Sequence, residues 1–165
     1  ISGRASMTSP ENFDIPEAAP EKNTASPREP APENTPDLTG VFRALLALHP
    51  PLVKSDAQAS AKALAAVRLS INGLPEASPH RGRLLALFPE KLPADIGQLR
   101  AIYGQVSDLL SRWSDAPGFK KPALKYHRFY CPMAFDDKGG VWFQDNASLE
   151  NPYFGAAMLK CGTEK

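Results

Sequence analysis

Five side chains near the end of the sequence carry donors that bind soft metal ions or form sulfur–sulfur bonds. They lie in two stretches, HRFYCPMAF from His127 to Phe135 and MLKCG from Met158 to Gly162. Together these hold both cysteines and two of the three methionines of the chain. Alternate residues of an extended strand share a face. Cys131 and Met133 have that parity, with His127 further along the same face. Met158 and Cys161 are three apart, a spacing that places two side chains on one side of a helix. If the tail folds back onto the strand, the sulfur pairs converge. The donors are then thiolates from Cys131 and Cys161, thioethers from Met133 and Met158, and the His127 imidazole as a fifth. Thiolate and thioether are soft and favour Cu(I) or Ag(I), whereas zinc takes thiolate and imidazole and seldom thioether.

The same residues admit a plainer reading. Two cysteines in an oxidising compartment pair readily. A bridge closing a loop of about 30 residues contributes roughly 3–4 kcal/mol through chain entropy. A small core gains from such a bridge, and methionine is commonly a gap-filler in cores. On spacing alone, a disulfide or a pair of reduced core cysteines outweighs a metal site, because neither CxM nor MxxC is a specific signature.

The elements that must position these groups can be read from periodicity. Leu38, Val41, Phe42, Leu45, Leu46 and His49 recur at helical spacing, and Pro50–Pro51 should end or kink that helix. Ser55 is the expected N-cap of a second helix with Leu64, Val67 and Ile71 on its inner face. RLLALF, Arg83 to Phe88, reads as a brief helix stopped by Pro89. The clearest helix runs through Ile96, Leu99, Tyr103, Val106, Leu110 and Trp113, a bundle-like seam, and ends at Asp115, Pro117 and Gly118. Beyond Pro122, KYHRFYCPM reads as a strand, DDKGG as a turn and VWFQ as the returning strand of a hairpin. ENPYFGAAMLKCG should form a short helix bounded by Pro152 and Gly162. The expected fold class is mainly α: a small helical bundle with a C-terminal β-hairpin and short helix. Trp142, Tyr153 and Phe154 should form the core between hairpin and bundle.

Residues 9–37 are rich in Pro, Glu, Ala and Ser and cannot bury enough apolar surface to offset ordering entropy. They read as a disordered Pro-rich linker ahead of an ordered domain at 38–165. The 165 residues carry a net charge of +1, which offers no broad field for nucleic acid or anionic membrane. No apolar run approaches the roughly 18 residues of a membrane span. The opening ISGRASM has neither initiator methionine nor signal pattern, and the expectation is a piece of a longer protein. His49 falls on an apolar helix face and reads as a packed core residue, with metal ligation as the weaker alternative. His80, in SPHRGR, reads as a solvated loop histidine. Asp136 and Asp137 fit a turn better than an oxygen-ligand loop. There is no GxSxG, P-loop, dinucleotide fingerprint or paired-carboxylate arrangement, so no enzyme is expected.

The run YCPMAFDDKGGVWFQ…NPYFGAAMLKCG resembles the C-terminal domain appended to CusB-like periplasmic adaptor proteins, the membrane fusion proteins of heavy-metal efflux pumps of the resistance-nodulation-division class. The resemblance is strongest from Tyr130 to Gly162 and weaker from Leu38 to Trp113, where ALLALHPPLVKSD is similar to the first helix and loop of that domain. ISGRASM, within residues 1–8, resembles the end of the adaptor body. The resemblance implies a periplasmic metal-binding domain. Such a domain would capture Cu(I) or Ag(I) through Cys131, Met133, Met158 and Cys161, with His127 assisting, and deliver it or signal to the pump. The implied partners are the efflux pump and outer-membrane channel, reached through the parent adaptor, and a periplasmic metallochaperone. The alternative is an interaction module stabilised by a Cys131–Cys161 disulfide that binds no metal.

Overall fold

The structure, a computed structural model, describes residues 35–165. The expected adaptor-body segment at 1–8 and the linker from 9 to 34 lie outside them. Four helices come first: α1 Thr39–Val53, α2 Ala57–Asn72, α3 Pro79–Leu85 and α4 Ile96–Ser114. Then follow β1 His127–Cys131, a one-turn element α5 Ala134–Asp137, β2 Gly140–Gln144, a 3-10 turn Gly155–Met158 and β3 Thr163–Glu164. The strands form one antiparallel sheet in the order β2-β1-β3.

This corrects the mainly α expectation. About half of the described residues are helical and a three-stranded antiparallel sheet stands beside the helices, so the fold is mixed α/β. The third strand was invisible in the sequence because two residues carry no period. Pairing and charge place it instead. Lys165 donates its N–H to Arg128 O at 2.8 Å, and Glu164 Oε1 meets His127 Nδ1 at 2.7 Å. The tail helix is likewise only a single 3-10 turn.

Helix starts follow their caps. Asp56 accepts from Ala59 N and Asp95 from Gln98 N, each at 2.9 Å, satisfying first-turn donors. The N-cap of α2 is thus Asp56 rather than Ser55. Ser55 adopts φ 57 and its Oγ accepts from Arg100. Pro50 and Pro51 sit inside α1, which runs on to Val53. The two missing amides would have faced the carbonyls of Leu46 and Ala47. Ala47 and Pro50 are exposed, so water can serve that side, while buried Leu48, His49 and Leu52 hold the other.

One core joins helices to sheet. Leu99, Tyr103, Val106, Leu110 and Trp113 of α4 are all buried, and Tyr103 Oη donates to Phe143 O of β2 at 3.0 Å. Phe42 of α1 packs against the rings of Tyr126 and Phe143 at 5.0 and 5.1 Å. Trp142 stacks on Phe129 and meets Tyr153 edge-on. Each such aromatic contributes roughly 1.5–3 kcal/mol by burial. Among the described residues no helix is long and apolar enough to cross a membrane.

His49 is buried and its Nε2 lies 2.7 Å from Glu150 O, a core histidine bound to backbone. His80 is not a solvated loop residue. It is fully buried on α3, edge-on to Trp113 at 4.6 Å, with neither ring nitrogen hydrogen-bonded. The polar neighbourhood SPHRGR hid this, because Pro79 starts a helix there. Burial pushes both imidazoles below the ordinary histidine range. The unfolded chain therefore takes up protons first as pH falls. Stability is complete above pH 6.5 and declines below it, by up to about 1.4 kcal/mol per histidine per pH unit. Urea unfolding between pH 7.5 and 5 should show this slope, and His80→Leu should remove part of it.

Candidate metal centre

Cys131 closes β1, and its side chain shares the inward face with Phe129; both are buried. On one side Cys131 pairs with Gly140 of β2. On the other, β3 sets Tyr130 against Thr163, which brings the residues just before Thr163 alongside the end of β1. Cys161 Sγ consequently lies 2.9 Å from Cys131 Sγ. Met133 Sδ is 3.9 Å from Cys161 Sγ. The three sulfurs grade outward: Cys131 is fully buried, Cys161 half-buried and Met133 48% exposed.

The route to this convergence differs from strand parity. The strand ends at Cys131, and Pro132–Met133 turn the chain. Phe135, Asp136 and Asp137 then take φ of 55, 56 and 61, a left-handed turn. Left-handed backbone costs about 1–2 kcal/mol per residue, less for Asp. The Phe135 ring offsets this by packing 4.8 Å from Tyr153 and so close over Gly104 of α4 that a Cβ there would lie 2.6 Å from it.

Met158 and Cys161 are not on a continuous helix. The 3-10 turn ends at Met158, whose carbonyl accepts from Cys161 N at 3.1 Å, and the Met158 side chain is half-buried. His127 stands apart from the sulfurs. Four residues up the strand is about 13 Å, and its Nδ1 is paired with Glu164. The expected fifth donor thus serves to hold β3.

Two residues that the sequence reading passed over position Cys161. Asn151 is fully buried and laces the loop that leads to it. Asn151 N donates to Leu159 O at 2.7 Å and Nδ2 to Cys161 O at 2.7 Å, while Oδ1 accepts from Tyr153 N at 2.8 Å. Arg100 of α4 fixes the loop's start, with Nε to Pro152 O at 2.7 Å and Nη2 to Leu52 O at 3.0 Å and Ser55 Oγ at 2.8 Å. The Asn151–Pro152 dipeptide is a turn signal that would have pointed here.

The sulfur spacing is intermediate. A disulfide needs about 2.05 Å. Two thiolates on one tetrahedral ion, each about 2.3 Å from it, stand about 3.8 Å apart. A shift of about 1 Å converts the observed pair into either. The Cys131 thiol beside it, aided by partial burial, pushes the Cys161 thiol above its ordinary range. Among the described residues, no three His, Cys, Asp or Glu side chains gather as a metal group; the sulfur beside the cysteine pair is the Met133 thioether. That donor set suits a soft cation and poorly suits zinc.

Gly162 permits the approach. It has φ +139, and a Cβ there would lie 2.7 Å from Trp142 Cη2 and 2.9 Å from Tyr130 O. Neither the buried tryptophan nor the strand backbone can yield. Gly162→Ala should destabilise the chain by about 2–3 kcal/mol, read as a lower urea midpoint with an unchanged m-value.

No family model, curated protein or solved structure matches this chain.

Proposed function

We propose that this domain captures a soft monovalent cation, Cu(I) or Ag(I). Cys131 and Cys161 serve as thiolate ligands, Met133 as a thioether ligand, and Met158, on the turn before Cys161, as the candidate fourth. The observation that carries this reading is the clustering of three sulfurs from two separate segments, within 3.9 Å of one another in sequence of contact. An exposed thioether outside and a buried thiol inside give the ion a graded path: a neutral donor meets it first and the charged donors retain it. Both thiols must release protons on binding, so affinity rises with pH.

The cation is cargo rather than a resident cofactor, and no catalytic role is assigned. The resemblance of Tyr130–Gly162 to the appended domain of CusB-like adaptors supports a periplasmic setting in copper and silver efflux. There the domain would hand its ion to the pump, tethered so that the local ion concentration is raised. The fully reduced chain, titrated with Cu(I) against a competing chelator, should take up one equivalent. No uptake in competition with the chelator overturns the reading.

A further inference from the structure

The sulfur pair has a second chemistry that the cation reading does not use. We infer that Cys131 and Cys161 form a thiol–disulfide gate on the cation site, opened by a partner dithiol attacking at Cys161; this rests on the soft-cation reading above. The two sulfurs lie 2.9 Å apart, contributed by two separate segments. Cys131 closes β1, paired with Gly140 of β2, and is fully buried. Cys161 sits between a one-turn 3-10 element and a two-residue strand, next to Gly162. Closing the gap to a bond of about 2.05 Å asks a relative shift of less than about 1 Å.

Accessibility decides which sulfur a partner reaches. Cys161 is half-buried and Cys131 fully buried. A partner thiolate attacks Cys161 Sγ, the Cys131–Cys161 bond breaks, and a mixed disulfide forms on Cys161. Cys131 leaves as a thiolate and takes up a proton. The partner's second thiolate then attacks its own sulfur in the mixed disulfide and releases Cys161, which is protonated in turn. Two electrons and two protons pass from the partner dithiol to the domain, and a partner disulfide runs the steps in reverse. The oxidised form has no thiolate to offer a cation and keeps only the thioether.

The test uses the full chain and glutathione disulfide as oxidant. Intact mass and maleimide counting should show loss of two hydrogens and of both thiols. Brief exposure should place the glutathione adduct on the Cys161 peptide. Ag(I) affinity should fall at least 100-fold on oxidation and return with dithiothreitol. Stable adducts without an internal bond, first capture on Cys131, or equal Ag(I) affinity in both states would each overturn the gate. A reduced chain that binds no Ag(I) instead removes the cation site, and an arm without oxidant reads that separately. Cys161→Ser should lose the internal bond and leave Cys131 slow to react, a check that does not depend on replacing the buried cysteine.

Discussion

A reduced Cys161→Ser chain should bind Ag(I) roughly 100-fold more weakly than the unaltered chain, since loss of even outer-shell partners costs 10–100-fold at metal sites. The exchange keeps size nearly constant at a half-buried position, so circular dichroism and the urea midpoint should stay close to those of the unaltered chain. Met133→Leu should weaken binding much less, about three- to tenfold, because an exposed neutral thioether contributes less than a charged thiolate. The order of the two effects is diagnostic. Equal loss in both would mean that the ion sits outward, at the surface sulfur. No loss in either would place Ag(I) elsewhere on the chain and remove the cluster from the functional account. Competition titration at fixed pH measures all three chains on one scale.

The second large effect is expected at a residue with no sulfur. Asn151→Leu should destabilise the domain by about 3 kcal/mol, because it orphans the Tyr153 amide and the Cys161 carbonyl and each buried unpartnered group costs about 1–3 kcal/mol. At roughly 3–4 °C per kcal/mol for a domain of this size, the melting temperature should fall by about 10 °C. Below that temperature the folded variant should still bind Ag(I) about tenfold more weakly, since the loop that presents Cys161 is no longer laced at Leu159 and Cys161. An Asn151→Asp chain separates the two roles. It keeps Oδ1 for Tyr153 N and loses only the donor to Cys161 O, so its binding defect should exceed its share of the stability defect. Calorimetry and silver titration on the same samples decide this.

Legibility in the sequence followed the range of the interactions. The α4 seam from Leu99 to Trp113 was readable because a period repeated over about four turns needs no partner to be seen. The hairpin was readable because Gly139–Gly140 and the aromatic runs are local signals. What failed was set by distant contacts. Helix α1 passes through Pro50–Pro51 because buried Leu52 and the Glu150 carbonyl on His49 hold its last turn. His80 is buried because Trp113, 33 positions away, offers it an aromatic face. Strand β3 is too short to announce itself and is defined by what Arg128 and His127 provide. The sulfur site lies between these cases. The residue types in CPM and MLKCG named the donors, but the expected parity and helix were the wrong devices. A strand end, a left-handed turn and an asparagine-laced loop bring Cys131, Met133 and Cys161 together. His127, selected by the same parity, is consumed by Glu164.

The two-residue β3 also bears on how chains behave when crowded. Strand β2 is buried along its whole length, so the sheet's open side is the outer edge of Thr163–Glu164. An edge that short, carrying a carboxylate, gives another chain little to zip onto. Beneath it lies β1, five residues with Phe129 and Tyr130 at its centre, a far better template for intermolecular pairing. Strand β3 thus acts as a guard rail over an adhesive strand. A chain truncated after Gly162 should scatter light at concentrations where the chain that keeps Thr163–Glu164 stays clear.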